Sequence, residues 1–480
     1  MQTVLTLFKN STFSIITNTL NRIGNAVIFI LIVHYLGIEQ GGSYTLGVSY
    51  FFIGSRFAFW GLDHLLTREV AKSKEKATKF LSNFLFVRLV LATIVIFVTL
   101  GIVEATTYQS STKLVISIMI LSIWPENINN LCWAAFAAFE EFHFTSISVF
   151  FASLSQIILG LIFLALGYDV VAMSIVFFIN NTVALIINIY ILQKRYISKW
   201  ELPDKKFISE QLKIGLPFVF IGMFFILDNR LDTIILSFVA SETVVGLYGA
   251  ATAVTIALSM IPQGYRIAIL PVLARYRVDN PEKVQPIYNQ SYKVLFLIGL
   301  PISAGTWLLA KDLIRIIYGE TLPAAVPTLQ VISVVLALTF LNVLNTRLLI
   351  AYDMQSLTAK FLLITTLLNA IINLLVTPRL GALGAGIARL ISITLLFVLN
   401  TIAIRGIVKN QTQIIFFLKT ALCTAGMSLI VWQFRPFGFW IQTIGGSLSY
   451  IILIVASKTI SQKEQSMIMQ LLKQKQIAPK

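Results

Sequence analysis

Charge is what this sequence lacks most. Asp, Glu, Lys and Arg make up 12% of its 480 residues, against about 25% in a soluble globular domain. No stretch of a hundred residues is polar enough to fold in water on its own. Cysteine is equally scarce: Cys132 and Cys423 lie in separate apolar runs. That excludes a disulfide framework or a metal pair and leaves two small packing residues. The three histidines, His34, His64 and His143, stand at the ends of apolar runs and form no metal pair. There is no Gly-x4-Gly-Lys-Ser/Thr loop, so this chain does not hydrolyse ATP, and no Gly-x-Ser-x-Gly nucleophile elbow. The first apolar stretch lacks a short h-region followed by a small-residue cleavage site, so it reads as a retained helix rather than a signal peptide.

What remains is apolar: 57% of residues, with a mean hydropathy of +0.84. That is enough for about fourteen spans of roughly twenty residues, the length that crosses a ~30 Å hydrocarbon core. The runs fall at 12–36, 43–62, 80–103, 114–136, 144–166 and 170–192, then 211–239, 244–270, 291–310, 326–350, 357–376 and 382–404. A final pair occupies 414–434 and 437–456, ahead of a lysine-rich tail. The most polar connection, 193–210, holds Lys194, Arg195, Lys199, Lys205 and Lys206. The 35 phenylalanines read as packing and lipid-facing surface. The expected fold is therefore an all-α polytopic membrane protein whose first partner is the lipid bilayer.

The excess of 37 Lys+Arg over 21 Asp+Glu does not point to nucleic acid, because the basic residues sit in short loops. With the N-terminus in the cytoplasm, the inner loops and ends hold Lys9, the 68–79 cluster, the 193–210 cluster, Arg275, Arg277, Lys283, Arg405, Lys409 and the tail. The outer loops hold only Lys113, Lys311, Arg315, Arg379 and Arg435. By the positive-inside rule both termini are cytoplasmic, and the number of spans is even.

A weak repeat divides the chain. Gly42-Ser-Tyr44, followed by an apolar run to Arg56, returns as Gly246-Leu-Tyr248 with a run to Arg266, offset by 204 residues. Two parallel six-helix units joined by the basic linker explain it, and transporters built from such repeats bind their substrate between them. The units are 1–206 and 207–404, with 405–480 holding the last helix pair and the tail.

Charges inside spans cost about 2.5–3.5 kcal/mol each on insertion scales, so those present face a partner or a watery cavity. They are Arg22, Arg56, Arg88, Arg230, Arg266, Arg347 and Arg389, against Glu126, Asp228 and Asp232. Asn18, Asn21, Arg22 and Asn25 share one helix face, a stripe that lipid would not tolerate. Arg266 follows Pro262 and Gly264, residues that can kink a helix and free backbone groups for a ligand. Arg22, Arg56 and Arg266, with Asn18 and Asn25, are thus the candidate lining of a cavity for an anion. Arg88, Arg347 and Arg389 lie nearer span ends, where snorkelling or pairing is the readier account. Asp228 and Asp232 stand at i, i+4 on one face. They suit either proton or sodium coupling or a salt bridge to an arginine on another helix, and Glu126, after Pro125, is a further candidate. No other cofactor is implied.

The chain resembles the multidrug/oligosaccharidyl-lipid/polysaccharide exporter superfamily, and within it the Wzx-type oligosaccharide flippases and the lipid II flippases. The resemblance rests on Tyr35-Leu36-Gly37 before Gly41-Gly42-x-Tyr44, and on Gly61-Leu62 leading to Arg68-Glu69. It continues through Gly215-Leu216-Pro217, Asp232 and Gly246-Leu-Tyr248 to the turn Gly381-Ala-Leu-Gly384-Ala-Gly386. It implies two six-helix lobes around a central cavity plus a C-terminal helix pair, in the plasma membrane. In lipid II flippases arginines of the first, second and eighth helices line that cavity, and Arg22, Arg56 and Arg266 fall in those helices. The implied cargo is a polyprenyl-diphosphate-linked oligosaccharide, with polysaccharide polymerase machinery as a candidate partner. Two alternatives stay open: a cation-coupled multidrug exporter, which would favour carboxylates in the cavity, and a membrane glycosyltransferase or polymerase, for which no loop is long enough.

Overall fold

The computed structural model describes residues 24–197, 200–319, 322–408 and 414–459. Asn18 and Arg22 lie outside the described residues. Every regular element among the described residues is helical, as a bilayer demands of a chain that must satisfy its own backbone polar groups.

The first half comprises α1 (Gly24–Leu36), α2 (Ile38–Phe59), α3 (Leu62–Lys72), α4 (Ala77–Glu104), α5 (Ser110–Leu121), α6 (Ile123–Ala138), α7 (Phe142–Ala165) and α8 (Val170–Arg195). The second holds α9 (Lys205–Val239), α10 (Glu242–Leu258), α11 (Met260–Asp279), α12 (Val284–Leu308), α13 (Ala310–Tyr318), α14 (Ala325–Ala351), α15 (Gln355–Leu380) and α16 (Ala382–Ile404). Helices α17 (Ile414–Gln433) and α18 (Phe439–Ala456) pair with each other and lean on α12.

Among the described residues, ten helices or helix pairs are long and apolar enough to cross a membrane: α4, α5–α6, α7, α8, α12, α14, α15, α16, α17 and α18. The pair α10–α11, bent by 45°, makes eleven. Helices α1, α2 and α9 stand where three further spans are expected. The first is described only from Gly24, the second is rich in Gly and Ser, and the third carries Asp228, Arg230 and Asp232.

Three breaks have local causes. Trp60 and Gly61 both take positive φ (45° and 65°), which ends α2 and restarts the chain as α3. Pro125 follows the break at Ser122, and Pro262 follows the break at Ser259, positions near a helix start where proline removes no needed donor.

The structure departs from the sequence reading in three places. The run 43–62 continues past its break as α3, whose Leu62, Leu65, Leu66 and Val70 pack into the first half. The connection holding Lys311 and Arg315 is a strongly amphipathic helix, α13, that buries Ala310, Ile314 and Tyr318; nine residues are too few to register in a search for spans. The linker 193–210 is helical at both ends, as the last residues of α8 and the first of α9. Helix α9 begins at Lys205 and runs 35 residues, about 52 Å at 1.5 Å per residue, so it extends well beyond a single crossing. Asp204 starts it by accepting from the backbone N–H groups of Lys206 and Phe207 (3.0 and 3.1 Å). Those bonds hold the Asp204 carboxyl below its usual range, since each favours the ionised form. The linker is also pinned to α4, where the Asn83 side chain accepts from Asp204 N–H at 2.7 Å and Ser82 accepts from Glu201 N–H at 3.0 Å.

The two halves meet at the repeated glycines. A Cβ placed on Gly42 would lie 1.8 Å from the carbonyl oxygen of Glu242, and one on Gly246 would lie 2.2 Å from that of Ile38. Glu242 follows Ile38 by the same 204 residues that separate the glycines, so the contact is two-fold symmetric in sequence. Only glycine permits backbones to approach so closely. Thr45 lies against Gly249 at the same junction. Gly42→Ala should therefore force the helices apart, overpacking of this kind costing about 1–3 kcal/mol. A single cysteine at Thr45 should then react several-fold faster with a membrane-impermeant maleimide than in the parent; equal rates would show that the junction does not close as described.

Candidate functional site

Most of the charges named inside the spans fall into two clusters, one per half. In the first, Arg88 on α4 is fully buried. Its guanidinium donates to the carbonyl of Asn127 (2.8 Å) on α6, to the carbonyl of Phe59 (3.1 Å) at the end of α2, and to the carboxylate of Asp63 on α3. The Phe59 carbonyl is available because the break at Trp60 leaves it without a helical partner. Arg88 thus clamps three helices together at the α2–α3 break.

Arg56 lies one turn from that clamp and is held differently. It is half-buried, its guanidinium 5.1 Å from the ring centroid of Phe59, whose ring lies equally far from Arg88. Among the described residues no carboxylate is within ion-pair distance of it, although Asp63, Glu126 and Arg88 interact with it at longer range. Glu126 accepts from the Asn130 amide at 3.1 Å. Asn25 accepts from the Gln156 amide at 3.4 Å, and Gln156 in turn accepts from Asn180 at 2.8 Å.

The second cluster separates the two aspartates of α9. Asp228 is ion-paired to Arg389 of α16 at 2.9 Å, and the same guanidinium donates to the Asp228 carbonyl at 2.5 Å. Asp232 is buried and, among the described residues, meets only neutral donors at hydrogen-bond distance: Tyr248 OH at 3.0 Å on one oxygen and the Asn373 amide at 2.8 Å on the other. Asn373 is itself set by Asn369 and Thr377, at 3.0 and 2.9 Å. Arg230, between the aspartates, lies over the ring of Phe52 on α2 at 4.7 Å. Arg266 is on α11, just past the bend, where it interacts with Arg347 of α14. No group of three His, Cys, Asp or Glu side chains among the described residues could hold a metal ion.

Sequence reasoning named these charges but missed the frame that carries them. Asn188 donates to Asn129 at 2.8 Å, bridging α8 to α6, and Asn400 donates to Asn342 at 2.7 Å, bridging α16 to α14. Asn180 bridges to Gln156 in one half; Asn369 bridges to Ser392 at 3.4 Å in the other. All four second-half residues follow their first-half counterparts by 212 or 213 residues. The signal was present as asparagines inside apolar runs, but no charge marked them. The frame also isolates an exception: 204 residues before Asp232 stands Ile28. Among the described residues the scaffold is built in both halves, and Asp232 is a buried carboxylate of one only.

Residues 7–277 match the family model described as polysaccharide biosynthesis protein, and residues 217–375 match that described as MatE. A Haloferax volcanii protein named as the flippase AglR is 25% identical over 340 residues, covering 67% of this chain and 70% of that one. An Escherichia coli protein named as an O-antigen transporter is 26% identical over 411 residues, covering 82% and 97%. Among solved structures, an inward closed conformation of the lipid II flippase MurJ superposes with a TM-score of 0.75 at 17% identity, covering 92% of this chain and 97% of that one. An inward-facing multidrug transporter of the MATE family gives 0.68 at 16% identity, covering 82% and 96%. At these identities the likeness shows the fold.

The geometry sorts the arginines by what removing them should do. Arg88→Ala leaves Asp63 unpaired and two carbonyls without donors, so it should cost about 3–5 kcal/mol and lower the melting temperature of the detergent-purified protein. Arg56→Ala should leave that temperature nearly unchanged. Equal melting of the two variants would erase the distinction.

Proposed function

We infer the activity from one premise: the chain belongs to the polysaccharide biosynthesis protein family, whose model covers more than half of it. It is a flippase that carries a polyprenyl-diphosphate-linked oligosaccharide from the inner to the outer leaflet by alternating access of its two lobes. It is a transporter and not an enzyme, in keeping with relatives named as a flippase and an O-antigen transporter. It resides in the plasma membrane with both termini in the cytoplasm, crosses fourteen times, and works beside polysaccharide polymerase machinery. The observation that carries the reading is Arg56: a cation inside a span, half open, held by an aromatic ring and with no described carboxylate at ion-pair distance. Such a group is expensive in lipid and is explained by a cargo that brings its own negative charge.

Arg22, Arg56 and Arg266, with Asn18 and Asn25, receive the diphosphate and glycan acids while the prenyl tail stays in lipid. An inside-negative potential supplies about 2.3 kcal/mol per charge per 100 mV toward the outer leaflet. The three carboxylates named for ion coupling then differ in readiness. Asp228 is occupied by Arg389, and Glu126 sits among cations. Asp232, held by neutral donors, is the residue that can exchange a proton or sodium ion, and Asp232→Asn should abolish any dependence of transport on a proton or sodium gradient.

The multidrug-exporter alternative would need carboxylates facing a cationic drug, and Asp228 already has its cation. Arg56→Ala or Arg22→Ala should abolish surface glycan while membrane levels of the protein, read by immunoblot, stay normal. Normal glycan export by both variants would sink the flippase reading, and drug resistance conferred in a pump-deficient host would replace it.

A further inference from the structure

At the end of the molecule where the halves close on Gly42 and Gly246, a side chain of the first half reaches across to the second. It is Tyr108, in the connection between α4 and α5. That connection is fastened to its own half. The Gln109 amide donates to Glu39 at 3.0 Å, Lys113 donates to the Glu104 carbonyl at 2.8 Å, and the Ser43 and Thr112 hydroxyls join α2 to α5 at 2.8 Å. From this support the Tyr108 ring stacks on Phe238 of α9, with 6.1 Å between centroids. Its hydroxyl lies 2.6 Å from Ser237 Oγ of α9 and 3.2 Å from the hydroxyl of Tyr50 on α2.

The protons of this chain follow from its far end. Ser237 gives its one O–H to the Ile234 carbonyl of its own helix at 2.7 Å, so at the junction it can only accept. Tyr108 therefore donates to Ser237, and Tyr50 donates to Tyr108. The step from Tyr108 to Ser237 crosses from one half to the other. The two-fold frame holds no copy of it: 204 residues from Ser237 and from Tyr50 stand Val33 and Val254, both buried in one apolar cluster. A bond belonging to the repeat would have a counterpart; this one stands on a single edge of the junction.

We propose that Tyr108 is a latch, whose hydroxyl holds the halves together at this end and must release Ser237 before they part there. The latch rests on the alternating access inferred above and names a bond that such a motion breaks. Neutral hydroxyls suit the task. The net worth of their bond is small, because each group can bond water instead, and at the connection between two helices water enters as the halves part. An ion pair at the same place would hold one state harder. The Phe238 ring gives Tyr108 a fixed place to return to.

The test uses the full-length protein in lipid nanodiscs, with Cys132 and Cys423 changed to alanine and Thr45→Cys as the reporter. Tyr108→Phe keeps the ring on Phe238 and removes only the bond. The reporter thiol should then react with a water-soluble maleimide about fivefold faster, the factor for losing one neutral hydrogen bond, at an unchanged melting temperature. Tyr50→Phe leaves the Tyr108–Ser237 bond in place and should raise the rate less. A lower melting temperature with an unchanged labelling rate would make Tyr108 a packing residue and overturn the latch. In cells, Tyr108→Cys with Ser237→Cys, joined by a short bis-methanethiosulfonate, should stop surface-glycan export, and reduction should restore it. Continued export by the joined protein would equally overturn the latch. The flippase reading is judged separately by Arg56→Ala: normal export there removes that reading, whereas the labelling rates need no cargo and still decide the latch.

Discussion

A polar side chain inside a bilayer has no water to turn to, and this constraint organises the molecule. Each buried Asn, Gln, Tyr or Arg must find its partner on another helix, so polar residues sit inside while large apolar ones face out. Arg88 is fully buried, whereas Phe97, Leu375 and Leu422 are among the most exposed side chains. Lipid does not drive these helices together, since it is as apolar as they are. The asparagine bridges, the Arg88 clamp and the glycine junction therefore do what an apolar core does in water. They fix which helices are neighbours and at what depth, and leucine contacts fill the space between.

The repeat explains why these devices come in pairs. Asn129–Asn188 and Asn342–Asn400 join corresponding helices of the two halves, and Gly42 and Gly246 meet face to face where the halves touch. A two-fold junction made of backbone has few specific side-chain bonds to break when the halves separate. A junction of Arg–Asp pairs would hold one state too firmly for a transporter. The ion pairs lie instead within each half: Arg88 with Asp63, Arg389 with Asp228. In the alternating access proposed above, each half would move as a unit and the seam between them would open.

Much of this was legible in the sequence and some could not have been. Long apolar runs gave the helices, because hydrophobicity is local and additive. The Gly-x-Tyr repeat marked the place where α2 and α10 approach most closely, because glycine at a close approach has no substitute. Arg88 was placed with the residues that snorkel or pair, which named its class but not its partners. Those partners, Phe59, Asp63 and Asn127, lie 25 to 39 residues away, and nothing in the linear order selects them. The Arg389–Asp228 pair is separated by 161 residues. Asparagines within spans were visible, but an isolated Asn looks the same whether it bridges helices or lines a cavity. The first turns of α9 and the short α13 were hidden by the twenty-residue rule itself, which finds what is long and apolar enough to cross a membrane and overlooks helices that are more polar or shorter.

The arginines make the final distinction. Arg88 and Arg389 each donate to a backbone carbonyl and a carboxylate on other helices; their charge is spent, and their role is to hold the scaffold. Arg56 and Arg230 rest on a single aromatic ring, and Arg347 faces another cation. A ring offers a guanidinium modest attraction and leaves its donors available. Evolution of an apolar chain could have placed leucine at any of these positions at lower cost. That it retains cations with unspent donors, in a fold where Arg88 and Arg389 are each paired with a carboxylate, is the physical reason to place the proposed cargo's negative charge there.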